Sequence, residues 1–268
     1  MDDILKVIIL GIVEGLTEFL PVSSTGHLIL VNGFVDFTGS FANMFNITIQ
    51  LGAILAVVIY FRERLFPFGN LKTAAEKLET WDLWKKTLIG VTPALVIGGL
   101  FGSDIEEYLF NPLTVAISLL VGGIALIVLE NRKPLNKICS MSSLNYRTAF
   151  LIGVIQCLAL IPGTSRSAAT IIGAMLLGAS RVIAVEYSFF LAIPTLFAAS
   201  AYSLFMTGLT LSLTQVQLLA VGFIVSFVVA WLVIAEFLKY SKKYDFKPFG
   251  YYRILLSVVI LAYLVIIG

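Results

Sequence analysis

Residues 14–27 read Glu14-Gly-Leu-Thr-Glu18-Phe-Leu-Pro21-Val-Ser23-Ser24-Thr25-Gly-His27. They set two carboxylates, a run of three hydroxyls and the chain's only histidine inside sequence otherwise apolar enough for hydrocarbon. Each ionisable group there costs ~2.5–3.5 kcal/mol even on the lenient insertion scale, so the stretch marks a functional site. Pro21 decides its shape. A proline removes a helix hydrogen bond and disfavours helix in the residue before it, so the apolar stretch 4–35 is expected to be two half-helices around a break.

The rest of the chain supports a membrane setting. It is 59% hydrophobic and 13% charged, with a mean hydropathy of +0.99. Soluble domains carry about 25% charged residues, so the class is an all-α polytopic membrane protein. The start, MDDILKVIIL, is acidic and runs into Glu14 without a cleavage site, so it reads as part of the mature fold rather than a signal peptide. Cys139 and Cys157 have neither CxxC spacing nor ligand-rich neighbours, and the composition gives no sign of nucleic-acid binding.

Six uninterrupted segments, near 43–62, 86–102, 111–130, 186–206, 216–238 and 252–268, are about as long as a ~30 Å hydrocarbon core requires. A second interrupted stretch, 148–182, breaks at Pro162-Gly163-Thr164-Ser165-Arg166-Ser167. Gly11-Ile-Val-Glu14 lines up with Gly153-Val-Ile-Gln156, and Pro21 to Ser24 with Pro162 to Ser165. The chain thus reads as one membrane domain, 1–268, duplicated internally at approximately 1–140 and 141–268. All of the 18 Lys and Arg except Lys6, Arg166 and Arg181 fall in connections 62–86, 131–147 and 239–253, which the positive-inside rule places in the cytoplasm. That sidedness requires 148–182 to enter and leave on one face. The expectation is six transmembrane helices plus two re-entrant helical hairpins in an inverted-topology repeat, with the hairpin tips meeting near the midplane and the first entering from outside.

Glu14 and Glu18 share a helical face with Thr17. Two carboxylates in low dielectric repel unless a proton or cation is shared. A hard divalent cation, Mg²⁺ before Ca²⁺, is therefore expected on Glu14 and Glu18, with a protonated pair as the structural alternative. Ser23, Ser24 and Thr25 stand where a half-helix begins and suit caps and anion contacts. His27, three residues beyond Ser24, puts an imidazole near a hydroxyl, the minimum for an activated nucleophile, or for the imidazole itself to serve as nucleophile or acid. In the second break Gly163, Thr164, Ser165, Ser167 and Thr170 offer backbone and hydroxyl donors, and Arg166 a planar fork for phosphate oxygens; a plain ion pair with Glu14 or Glu18 is the alternative. Gln50, Gln156 and Glu186 read as hydrogen-bonding glue between helices.

The patterns EGLTEFLPVSSTGH and PGTSRSAAT closely resemble the bacitracin-resistance family of undecaprenyl-diphosphate phosphatases, and the likeness extends over the whole chain in length and hydropathy. The resemblance implies removal of the terminal phosphate from a polyprenyl diphosphate in the bacterial plasma membrane, recycling a cell-wall carrier lipid, with sensitivity of the pathway to bacitracin. It further implies divalent-cation dependence and a site open to the outer face. By motif position it gives Glu14 and Glu18 metal and catalytic roles, Ser24 and His27 the nucleophile or acid/base roles, and Arg166 the phosphate-binding role, with Ser165, Ser167 and Thr170 in support. Lipid phosphatases with a histidine nucleophile are excluded, because Ser165-Arg166 is followed at the histidine's distance by Ile172. Inverted repeats and broken helices also mark transporters, so a polyprenyl-phosphate flippase or anion carrier is the competing class. A homodimer is left open.

Overall fold

The computed structural model describes residues 2–68, 72–132, 136–207 and 211–267. Eleven α-helices follow in order: α1 (Asp3–Thr17), α2 (Ser24–Val35), α3 (Ser40–Tyr60), α4 (Arg62–Leu65), α5 (Ala74–Leu109), α6 (Pro112–Asn131), α7 (Tyr146–Gln156), α8 (Arg166–Leu176), α9 (Arg181–Thr207), α10 (Leu213–Lys243) and α11 (Lys247–Ile267). A 3-10 turn, Cys157–Leu160, extends α7, and no strand is formed among the described residues. Several helices start where a side chain satisfies free N–H groups: Asn111 caps α6, Asn145 caps α7, and Ser212 with Gln215 forms a capping box on α10.

Among the described residues five helices are long and apolar enough to cross a membrane, and α3 supplies a shorter apolar stretch, Met44–Tyr60. Their outward faces are apolar, with Leu100, Val121, Leu232, Leu255 and Val265 all exposed. On a multi-pass membrane protein such a surface meets lipid. Both interrupted stretches are hairpins. Lys6 near the start of α1 donates to the carbonyl of Asp36 just after α2 (3.0 Å), which brings the two ends of the first hairpin to one place. In the second, Lys137 and Ile138 ahead of α7 bond to Gly178 just after α8, and Ser180 bonds back to Ile138.

Helix pairing follows small residues. α1 and α3 pack on α10, α7 and α9 on α5, α6 on α11, and α3 on α9. With lipid outside, helix association depends on close van der Waals fit, which small residues permit. A side chain at Gly11 of α1 would strike the Gly222 carbonyl of α10, and one at Gly153 of α7 the Gly90 carbonyl of α5. α9 runs through the core, where Tyr187, Phe189, Phe190 and Leu191 are fully buried. Phe19 at the first break packs edge-on against Phe189, with centroids 5.3 Å apart.

The three basic connections are largely helical. Residues 74–86 are the first turns of α5, Arg147 lies in α7, and 239–243 and 247–253 belong to α10 and α11. Arg253 is not a surface charge at all but is fully buried. The reading of 239–253 as a cytoplasmic loop is therefore corrected at that residue: counting cations along a sequence does not reveal which are folded inward. Residues 69–71 and 133–135, also in those connections, lie outside the described residues, as do 208–210.

Candidate active site

The two hairpins meet break to break. In the first, helix stops after Thr17 and resumes at Ser24; in the second it resumes at Arg166. Each restart is capped by a serine at positive φ, Ser23 (73°) and Ser165 (69°), whose hydroxyl accepts from the backbone N–H three residues on, Gly26 and Ala168. Non-glycine residues seldom adopt such φ values, at a cost of order 1–3 kcal/mol that surrounding contacts must offset. The caps equate Ser23 with Ser165, and hence Ser24 with Arg166. That is one residue out of the register set by the prolines, and Gly163 at φ 87° lies in the longer second break. Ser24 and Arg166 are thus the first residues of the two facing half-helices.

Both converge on Glu18. The Ser24 hydroxyl donates to Glu18 Oε2 at 2.6 Å, and Arg166 Nη2 donates to Oε1 at 3.2 Å. Arg166 Nη1 donates to the Ser188 carbonyl (2.9 Å) and hydroxyl (3.3 Å), and its guanidinium carbon lies 5.8 Å from the centre of the Phe19 ring. Its Nε is buried and has no partner among the described residues. Thr170 donates to the Ser188 hydroxyl (2.7 Å), so Thr170 steadies Arg166 through α9. Ser167 donates to the Leu20 carbonyl (2.7 Å) and lies 3.0 Å from the Ser165 hydroxyl, joining one break to the other. Thr25 is half-buried beside Ser24 and makes no side-chain hydrogen bond among the described residues.

His27 stands apart from Ser24's bond. Its Nδ1 lies 2.7 Å from the Ser23 carbonyl and its Nε2 2.6 Å from the Tyr252 hydroxyl. The three-residue spacing brought Ser24 and His27 onto one helix, yet both ring nitrogens and the serine hydroxyl are engaged elsewhere. The serine hydroxyl is turned to Glu18, which accepts its hydrogen bond.

Glu14 is buried, and its Oε1 has no hydrogen-bond partner among the described residues. An orphaned carboxylate oxygen one turn from a second carboxylate fits a hard divalent cation. Among the described residues no third Asp, Glu, His or Cys joins the pair, so water and ligand oxygens complete the coordination of any ion held there. That suits Mg²⁺, which keeps several waters and shares carboxylates with phosphates. Gln156, aligned with Glu14, is also buried with both amide atoms unpartnered, whereas Glu186 pairs with Arg64 at 2.7 Å.

Three residues had escaped the sequence. Arg253 donates to five carbonyls, those of Pro21 in the first break, Gly163 and Thr164 in the second, and Ser118 and Leu119 of α6. It is a clasp on both breaks. Its one sequence signal is an arginine at the edge of an apolar span. Ser188 and Tyr252 carry none, since a hydroxyl inside a span is common glue.

Fold and site together define a polytopic helical membrane protein whose polar centre is built by two facing hairpin breaks around a Glu–Ser–Arg cluster. The chain belongs to the family described as Bacitracin resistance protein BacA, which its residues 7–259 match. It is 52% identical over 263 residues to undecaprenyl-diphosphatase 1 of Clostridioides difficile (strain 630), covering 97% of this chain and 96% of that one. It is 50% identical over 277 residues to the undecaprenyl-diphosphatase of Limosilactobacillus fermentum, and 49% over 274 to that of Lactiplantibacillus plantarum, with both partners covered in full. The family expected from the two motifs is the family found.

Proposed function

We propose that this membrane protein hydrolyses undecaprenyl diphosphate to undecaprenyl phosphate and inorganic phosphate, through Ser24 as nucleophile and Glu18 as its base. The observation that carries the reading is Glu18 itself, with a serine hydroxyl on one oxygen and an arginine on the other. One carboxylate thereby gathers nucleophile, proton acceptor and anion-binding cation. The names of relatives about 50% identical over their full length supply the substrate.

The chemistry follows from what each group offers. Ser24 Oγ attacks the terminal phosphorus as its proton passes to Glu18, and the bond from that phosphorus to the bridging oxygen breaks, releasing undecaprenyl phosphate. Protonated Glu18 then returns its proton to the serine oxygen as water attacks the phosphoserine and the Oγ–P bond breaks; inorganic phosphate leaves carrying both hydrogens of the water, and Glu18 ends ionised. Arg166 neutralises charge building on the equatorial oxygens, and its unpartnered Nε–H supplies a donor for one of them. Free N–H groups at the starts of α2 and α8 add to the anion site. Glu14 and Glu18 would hold a divalent cation, which when bound would offset phosphate charge.

The diphosphate head enters from the outer face and the polyprenyl tail stays in lipid; the clustering of basic residues at the opposite ends of the helices supports this sidedness. A carrier needs an anion site but no serine set on a carboxylate, which weighs against the transporter class.

The test is phosphate release from undecaprenyl diphosphate by purified protein in detergent, with and without EDTA. Wild type should release phosphate and EDTA should suppress it. Ser24→Ala and Glu18→Gln should each fall at least about 10²-fold. Full turnover in Ser24→Ala would overturn the assigned nucleophile, and no release by the intact wild type would overturn the activity.

A further inference from the structure

We propose that Tyr252, on the last helix, is a positioning residue that fixes the tautomer and the direction of His27. A backbone carbonyl has lone pairs only. The 2.7 Å contact with Ser23 therefore makes Nδ1 the protonated nitrogen of the neutral ring, leaving the lone pair on Nε2. That lone pair lies 2.6 Å from the Tyr252 oxygen, so the phenol donates to it. The two rings are stacked, 8° from parallel with centroids 5.5 Å apart. Rotating the imidazole would break both bonds and the stack together.

The support continues along α11. Arg253, the next residue, is anchored by five carbonyls of three segments, so the backbone carrying Tyr252 is fixed relative to both breaks. One dipeptide thus ties down the hairpin breaks with its arginine and the site's imidazole with its tyrosine. His27 is thereby kept from competing for the Ser24 proton, which lies on the bond to Glu18. Outer partners of this kind that orient a functional imidazole are worth about 10–100-fold where they have been removed from metal sites.

The inference rests on reading this cluster as the catalytic site, and its test includes a readout that needs no turnover. His27 is the only histidine of the chain, so untagged protein labelled with ¹⁵N-histidine gives one imidazole, with two ring-nitrogen resonances and no assignment problem. Wild type should show a protonated Nδ1 and a hydrogen-bonded, unprotonated Nε2. In Tyr252→Phe, which keeps the ring and removes one oxygen from a residue 42% exposed, the Nε2 resonance should move toward that of a free pyridine-type nitrogen. In parallel, kcat should fall about tenfold with KM within about twofold. A proton found on Nε2 in wild type, unchanged resonances in Tyr252→Phe, or a shifted resonance with unchanged kcat would each overturn the proposal. A shift in the resonance alongside an inactive wild type would instead count against the site reading, while upholding the ring geometry.

Discussion

Arg166 faces three demands: a carboxylate, a carbonyl and hydroxyl on α9, and the ring of Phe19. Only a planar fork meets them at once, so Arg166→Lys should not rescue what Arg166→Ala loses. We expect kcat/KM to drop about 10³-fold or more in Arg166→Ala, the range in which a transition-state cation operates in phosphoryl transfer, against less than about tenfold in Ser167→Ala. Measuring kcat/KM across the three variants decides it, and near-wild-type turnover by Arg166→Ala would reject the role. That polar residues of the two breaks would face one another was legible in the sequence, because charges and hydroxyls at membrane depth stand out. Their partnerships were not. A three-residue spacing says that Ser24 and His27 share a helix, but Ser24 begins that helix and turns back toward Glu18, six residues earlier, across a break whose geometry no periodicity encodes.

At the level of helices, the broken stretches and their turning back were readable from proline and from the distribution of cations. Helix lengths were less so: α5 runs for 36 residues because the charged segment 74–86 favours helix as well as solvent. Close approach was invisible, since a helical glycine looks the same in sequence whether it faces lipid or a backbone. The two cases should respond to alanine with opposite sign. Gly99 of α5 has nothing within 4 Å of an added methyl, so Gly99→Ala should raise stability by about 0.5–1 kcal/mol through helix propensity alone. Gly153→Ala would press on the Gly90 backbone and should lower stability by about 1–3 kcal/mol or more. Thermal unfolding in detergent reads both, and a Gly153→Ala protein as stable as Gly99→Ala would show that the α5–α7 contact is looser than described.

For the molecule as a whole, orientation in the membrane can be read from its own thiols. Cys139 is exposed beside the base of the second hairpin, in the connection that the cation count assigns to the cytoplasm. In a Cys157→Ser background, a membrane-impermeant maleimide should label Cys139 in inside-out vesicles and spare it in intact spheroplasts. Labelling from outside would invert the topology and, with it, the face on which the diphosphate head arrives.

Four of the site's bonds cross the middle of the chain. Glu18 to Arg166, Leu20 to Ser167, His27 to Tyr252 and Pro21 to Arg253 each run from the first 140 residues to the remainder. The polar centre is therefore a joint: the first portion carries Glu18 and Ser24, and the remainder brings Arg166 to them. Lesions that ease the two portions apart by a fraction of an ångström, even far out in the lipid-facing packing, should silence the enzyme while each portion keeps its helices. Inactivation would then precede melting, and a circular-dichroism trace would look healthy in a protein that no longer turns over.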